Sequence, residues 1–393
     1  MKKAIIIAGL IIIVIGGYFG LKIISNNKSN QHNSTKRILN KVKTSYNFLL
    51  LGYGGGNHDG TYLTDSMILA HIDIPTKKVL LISIPRDIWI NIPIKDNSDF
   101  HYKINALYQI GLSPHDYPGI KTDLLNNDSA GLIKHAVKQI TGLEVDNYVA
   151  IDFSVFKKVV DILGGIDVNV EKTFDDYEYP IDGKEKELCG RDEDFKLIDK
   201  FMKPPYNEDE KKQLLTDKPQ LEEYLKNATD SPELAFPCRY EHLHFDKGMT
   251  HMDGETALKY VRSRHGIADG GDFGRAARQQ RFIEAVKNKV ISIGFIPKII
   301  PLINELNNDI EMDIDISSLP QLIAKLNQVV DYKIINFVPS GDNYLIDDYA
   351  DNGQYILMPK AGIDNWKDVK TGINNIIMGI TPTPSKIPSP SKH

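Results

Sequence analysis

From Ala4 to Leu21 the chain reads AIIIAGLIIIVIGGYFGL, without a single charge. No other segment limits the possible folds as strongly. Backbone groups set in hydrocarbon must be satisfied within the segment itself, so a run of this kind has to be helical. It is long enough to cross a bilayer core of about 30 Å. A cleaved signal peptide would carry a shorter apolar stretch closed by a small-residue cleavage site. Here the apolar character continues to Ile24 and no such site follows. Lys2 and Lys3 precede the run and mark a cytoplasmic flank. The expected topology is a cytoplasmic N-terminus over residues 1–3, a single-pass membrane anchor over 4–24, and everything beyond it extracytoplasmic.

Residues 25–43 are rich in Asn, Ser, Lys and Gln and read as a polar linker. Residues 379–393 end in TPTPSKIPSPSKH, a composition that cannot build a core. The remainder, 44–378, is expected to be one large domain. NFLLLG is a short apolar run closed by a Gly-rich turn, as for a buried strand. SMILAHIDI and KKVLLISIP follow on either side of Pro75-Thr76-Lys77, which predicts two strands joined by a tight turn. In DFSVFKKVVDILGG, Phe153, Phe156, Val160 and Leu163 share one helical face, with Asp152 as N-cap and Gly164 as stop. IDVNV resumes a strand, SSLPQLIAKLNQVV reads as a helix and YKIINFVPS as a strand. Strands alternating with helices predict an α/β fold, an α-β-α sandwich with helices flanking a mixed central sheet.

Cys189 and Cys238 are the only cysteines. They lie in the part expected outside the cell, where a disulfide is chemically stable, and without histidines at finger-like spacing they make a poor metal site. They bracket a charged segment, about 182–238, that reads as an insertion on the main domain. A bridge would pin its two ends; two unpaired buried thiols are the alternative.

Five arginines, Arg262, Arg264, Arg275, Arg278 and Arg281, fall in KYVRSRHGIADGGDFGRAARQQRFIEAV. The chain as a whole carries a net charge of −5, so general basicity does not account for them. A mildly acidic chain also argues against broad nucleic-acid binding. From Lys259 to Lys289, eight basic residues face three acidic ones. If VRSR is extended, the period of two sets Arg262 and Arg264 on one face. GIADGGDFG reads as a loop and RAARQQRFIEAV as a helix, on which Arg275, Arg278, Gln279, Phe282 and Val286 form one stripe. A helix N-terminus already favours an anion, and guanidinium forks bind phosphate in a bidentate manner. A multivalent phosphate such as a diphosphate suits the surplus charge.

A second set lies upstream: Arg86 and Asp87 in IPRDIWI, Lys103 and Asn105 in YKINALY, and Asp59 and Asp65 around a Gly-rich loop. Gly54-Gly55-Gly56 matches no P-loop, since no Gly-Lys-Ser/Thr follows. Two carboxylates beside a phosphate site could hold Mg²⁺, which takes oxygen ligands and bridges to substrate phosphates. His58, His71, His101 and His265 are scattered and read as structural or surface groups, and no Ser-His-Asp or Cys-His set is apparent.

Taken together, NFLLLG, LTDSMILAHID, KKVLLISIPRDIWI, KINALY, VDNYVAIDFSVFKKVVDILGGIDVNV, HMDGETALKYVRSRH and GDFGRAARQQ resemble, in order, the LytR-CpsA-Psr family of envelope phosphotransferases, over roughly residues 44–375. The resemblance implies a sheet flanked by helices with a groove for a polyprenyl chain. It implies transfer of a glycopolymer such as teichoic acid or capsule from an undecaprenyl-diphosphate carrier to a peptidoglycan hydroxyl, with Mg²⁺ or Mn²⁺. Polyprenyl phosphate would be released. By motif, Arg86, Arg262, Arg264, Arg275 and Gln279 would grip the diphosphate, with Asn105 and Arg278 as further binding candidates. Lys103 matches a site-lining lysine, Asp65 a metal-binding aspartate and Asp272 a site carboxylate. The family's second metal aspartate follows LLG closely; Tyr53 and Gly54 stand there instead, leaving Asp59 as the substitute. Asp272 or Asp87 could act as general base. Two other readings use the same residues: a polyprenyl-diphosphate pyrophosphatase, and a non-catalytic diphosphate-binding or regulatory module.

Overall fold

The structure, a computed structural model, describes residues 44–56, 60–96, 98–121, 128–268, 270–292, 310–314 and 332–380. The expected anchor (4–24), its cytoplasmic flank, the linker (25–43), the tail beyond residue 380, Asp59 and the expected helix SSLPQLIAKLNQVV fall outside these residues. Among the described residues no helix is long and apolar enough to cross a membrane.

The chain divides into two compact units. The first comprises residues 1–168, 251–261 and 276–393, the second 169–250 and 262–275. Strands in chain order are β1 Ser45–Tyr53, β2 Thr64–Asp73, β3 Lys78–Ile84, β4 Trp89–Asn91, β5 His101–Lys103, β6 Asn147–Asp152, β7 Ile166–Val170, β8 Phe174–Pro180, β9 Tyr240–Phe245 and β10 Gly248–Met252. They continue with β11 Glu311–Met312, β12 Lys333–Phe337, β13 Leu345–Tyr349 and β14 Tyr355–Pro359. The α-helices are α1 Leu107–Leu112, α2 Gly131–Thr141, α3 Phe153–Ile162, α4 Asp192–Ile198, α5 Glu208–Asp217, α6 Leu221–Asp230, α7 Pro232–Ala235, α8 Gly254–Arg262, α9 Gly271–Ser292 and α10 Lys367–Met378.

The first unit is built on a mixed sheet in the order β11-β6-β1-β2-β3-β12. β2 pairs antiparallel with β1 and β3, whereas β6 runs parallel to β1 and β12 parallel to β3. β1 is buried at every position after Ser45, which is why SYNFLLLGY is nearly continuously apolar rather than alternating. One face carries Leu49, Leu51, Met67, Leu69, Leu80 and Ile82 against α1, α2 and α10. On the opposite face Ser66 and Ser83 hydrogen-bond Gln279 and Gln280 of α9, and Phe156 of α3 packs on Phe282 of α9 at 5.5 Å. Helices therefore cover both faces, and the sheet is mixed as expected. The β2–β3 turn falls at Pro75-Thr76-Lys77, with Lys77 at φ 52°. Asp152 caps α3, accepting from Ser154 N and Val155 N, and the chain turns out of the helix at Gly164 with φ 69°.

The second unit pairs β8 with β9, Phe174 stacking on Phe245 at 5.2 Å. Helices α4 to α7 enclose a small core of their own, centred on Ile198, Phe201, Leu221, Tyr224, Leu225 and Phe236. Cys189 and Cys238 form a disulfide that closes this segment, 49 residues apart in sequence.

Two expectations for the arginine stretch change. VRSR is not extended: α8 runs through Arg262 and the chain leaves the helix at Ser263. Nor does GIADGGDFG form a loop throughout, because α9 begins at Gly271 and takes in Asp272, Phe273 and Gly274. The seat of α8 is set by a tertiary contact. Gly254 sits where an added Cβ would meet Lys157 O at 2.4 Å, and its N–H donates to Asp161, so α8 is seated directly on α3. That close approach fixes where α8 starts.

Candidate active site

In the first unit the chemistry collects where β2 begins and where β3 and β5 end. Arg86 follows β3; its Nη1 donates to Asp65 Oδ1 at 2.7 Å and its Nε to Asp87 Oδ2 at 3.2 Å. Lys103, the last residue of β5, donates from Nζ to Asp87 Oδ1 at 2.8 Å. Two carboxylates and two cations thus alternate in one network. Asp87 is buried and spends an oxygen on each cation, whereas Asp65 keeps 29 % side-chain exposure and Arg86 24 %. Partly buried, mutually oriented charges of this kind are held against solvent better than isolated surface pairs. Asn105 contributes through its backbone: its N–H donates to Arg86 O and its carbonyl accepts from Thr64 Oγ1. The segment bearing Arg86 is thereby fixed from two sides.

The Gly-rich loop after β1 packs against the start of α3. Gly55 has φ 72°, and a Cβ there would stand 2.8 Å from that of Asp152. Only glycine fits both the conformation and the space. Tyr53, standing where the family pattern has its second metal aspartate, turns its ring into the core beside Tyr62 and Tyr108. Burial, with the charge of Asp152 adding to it, pushes its phenol well above the usual range, so it stays neutral.

In the second unit Arg262 Nη1 donates to both oxygens of Asp182, at 2.8 and 3.1 Å, and to Tyr179 OH at 3.3 Å. Burial alone would lower its pKa, but the fields of Tyr179 and Asp182 and their hydrogen bonds raise it on balance. Asp176 is fully buried and accepts from Ser263 Oγ, Arg264 N and His265 N through one oxygen, and from Glu178 N through the other. The segment after α8 is folded around that carboxylate, and Arg264 O accepts from Gly271 N at 2.6 Å. Asp176 lies in FDDYEY, where nothing in spacing marks it out from its neighbours, and sequence reasoning passed over it.

A model of the LytR_cpsA_psr family matches residues 18–370 of this chain. The chain belongs to the LytR-CpsA-Psr family. Among curated relatives, the polyisoprenyl-teichoic acid–peptidoglycan teichoic acid transferase TagU of Oceanobacillus iheyensis is 25% identical over 290 residues, covering 73% of this chain and 64% of its own. TagV of Bacillus subtilis, a transferase with the same description, is 24% identical over 322 residues, covering 79% of this chain and 62% of its own. The chain thus spans a little under two thirds of the length of these relatives. The crystal structure of B. subtilis TagV shares the fold with a TM-score of 0.51 at 23% identity, covering 86% of this chain and 99% of that one.

Against the LytR-CpsA-Psr motif, the first unit brings Asp65, Arg86 and Lys103 together, joined by Asp87. Arg278 is wholly buried, and its Nε donates to Tyr260 O near the end of α8. It ties α9 to α8, using its charge on a helix-terminal carbonyl. Its stripe partner Gln279 is 4% exposed, accepting from Ser66 Oγ and donating to Val261 O. Arg275 is 5% exposed on the first turns of α9. Asp272 lies on α9, its side chain outside the described residues. His71, His101 and His265 serve structure: they bond Asn47, Asp364 and Glu178.

Proposed function

We propose that this protein is a membrane-anchored, extracytoplasmic transferase that moves a glycopolymer from a polyprenyl-diphosphate carrier onto a peptidoglycan hydroxyl. The observation that carries the reading is the Asp65–Arg86–Asp87–Lys103 network in a LytR-CpsA-Psr chain. The descriptions of TagU and TagV support the substrate class.

Phosphoryl transfer needs positioning and neutralisation of charge more than a protein nucleophile. Arg86 and Lys103 are oriented by carboxylates, so their positive charge is positioned before a diphosphate arrives. An acceptor hydroxyl attacks the sugar-proximal phosphorus. The new P–O bond forms as the bond to the bridging oxygen breaks, and polyprenyl phosphate leaves with that oxygen and its electron pair. The hydroxyl proton passes to a base, assigned to Asp272; Asp87, with each oxygen engaged by a cation, is poorly placed for that role. By motif, Arg262, Arg264, Arg275 and Gln279 are assigned to the diphosphate as well.

By motif, Asp65 is assigned to Mg²⁺ as its one carboxylate ligand. No group of three His, Cys, Asp or Glu side chains among the described residues is arranged to hold a metal. Arg86 and Lys103 already balance the charges of Asp65 and Asp87, so the substrate's own oxygens must complete the site, as is usual for Mg²⁺. Bound there, the ion would neutralise charge on the diphosphate.

The test incubates full-length protein with a short-glycan polyprenyl diphosphate, Mg²⁺ and peptidoglycan fragments, with products read by mass spectrometry. A fragment gaining glycan phosphate, with none gained by an Arg86→Ala protein, supports the transferase. Glycan phosphate released only to water makes it a hydrolase, and binding without products a non-catalytic module.

A further inference from the structure

Within the first unit, the β4–β5 ribbon and the turn joining β13 to β14 border a cleft of about 400 Å³ that the proposed chemistry does not use. Three aromatic rings line it: Trp89, Phe100 and Tyr102. Phe100 is 40% exposed and lies 6.0 Å from Tyr102, while Trp89 stacks on His101 at 6.2 Å and 14°. Exposed aromatic rings grouped on a surface make an apolar patch of the kind that marks ligand or partner sites. From the turn come the hydrogen-bonding groups of Asp351, Asn352 and Gln354.

Charge decides what the cleft can take. Its lining includes Asp99 and Asp351 but, among the described residues, neither lysine nor arginine. His101 is engaged by Asp364 at 2.8 Å. A phosphate polymer or a diphosphate would find no counter-charge there and two carboxylates repelling it. A pyranose ring is uncharged, with an apolar C–H face for an aromatic platform and a rim of hydroxyls for amide and carboxylate side chains. Cleft and pocket sites generally combine an apolar floor with a few polar groups in this way.

The cleft is also wired to the ion pairs. Trp89 stands opposite Lys103 in the β4–β5 register, two residues beyond Asp87. On its other side Leu357 of β14 donates its N–H to Asp87 O at 2.9 Å. Both walls are therefore hydrogen-bonded to the segment that carries the network.

We infer that this cleft is a subsite for an uncharged oligosaccharide, namely the N-acetylated glycan of the acceptor rather than the anionic donor polymer. The assignment to the acceptor rests on the transferase reading; the sugar binding itself does not.

The probe is chitotetraose, added to full-length protein without donor or metal. The chain has two tryptophans, and Trp366 is 2% exposed, so a fluorescence change on binding reports Trp89. A saturable change is expected. Calorimetry should then show Phe100→Ala and Asn352→Ala each weakening binding about tenfold. Both side chains are exposed, and unchanged melting temperatures would show that the fold persists. Polyphosphate should not compete. No saturable binding, equal binding by both variants, or displacement by polyphosphate would overturn the inference. A protein that transfers glycan but ignores chitotetraose loses the subsite alone. One that binds it without transferring keeps the subsite and loses the transferase.

Discussion

Asp65 Oδ1 accepts from Arg86 Nη1 at 2.7 Å, which leaves the guanidinium aimed by one carboxylate while Asp87 steadies its Nε. Arg86→Ala removes a charge offered to the diphosphate and should lower kcat about a hundredfold to a thousandfold. Arg86→Lys restores charge but not the fork that spans two carboxylates, so its activity should fall between wild type and alanine. Single-turnover kinetics on purified protein distinguish the three. Wild-type rates in Arg86→Ala would remove this residue from the site.

Asp65→Asn separates metal from anion binding. Because the network is balanced by its own cations, Mg²⁺ should bind weakly to the free protein and at least tenfold more tightly with diphosphate present, the size of coupling that shared ligands produce. In Asp65→Asn that enhancement should disappear. Calorimetric titration of Mg²⁺ with and without a short polyprenyl diphosphate reads both quantities. Equal enhancement in the variant would move the metal ligand elsewhere.

Asp182 competes with any anion for Arg262. The pair is partly solvated, Asp182 being 63% exposed, so the contact is worth only a few tenths to about 1 kcal/mol. If Arg262 grips the diphosphate, Asp182→Asn should tighten diphosphate binding about twofold to fivefold. Weaker binding in the variant would mean that Asp182 instead holds the guanidinium in its working pose.

The sheet was legible because its evidence is local. NFLLLG, SMILAHIDI and KKVLLISIP are apolar runs punctuated by Gly and Pro, and Asp152 and Gly164 mark a helix by cap chemistry that needs no tertiary partner. The ends of α8 were not, because Gly254 against Lys157 and Asp176 beneath Ser263 are contacts between residues nearly a hundred positions apart. The same limit applies to the arginines. Spacing found the stripe of Arg275, Arg278, Gln279, Phe282 and Val286, and all five are buried. Spacing could not tell that Arg278 Nε would donate to Tyr260 O, a carbonyl near the end of the preceding helix.

The Cys189–Cys238 bridge closes the segment holding α4 to α7, whose core is small. A loop of this length gains about 4 kcal/mol from closure on chain-entropy grounds. Cys189→Ser with Cys238→Ser should therefore loosen that segment selectively. Hydrogen exchange in residues 192–235 should accelerate strongly while β1–β3 keep their protection. Uniform acceleration across both regions would show that the two unfold together.

His71 gives the fold an acid-side weakness. It is buried in β2, its Nδ1 is 2.7 Å from Asn47 Oδ1, and burial lowers its pKa below the ordinary 6.5 despite the opposing pull of Asp73 and Asp146. Above 6.5 the imidazole is neutral in both folded and unfolded chains and adds no pH dependence. Below 6.5 the unfolded chain takes up a proton that the folded one resists, so stability falls with pH until the lowered folded value is reached. His135, also lowered chiefly by burial, acts with the same sign. His244 acts in a different window: hydrogen bonds it donates to Asp175 and Asp246 raise its pKa, so its contribution is present below 6.5 and is lost as pH rises through the folded value. Denaturant melts of His71→Gln should show a shallower loss of stability below 6.5 than wild type. An unchanged slope would assign the acid sensitivity to other groups.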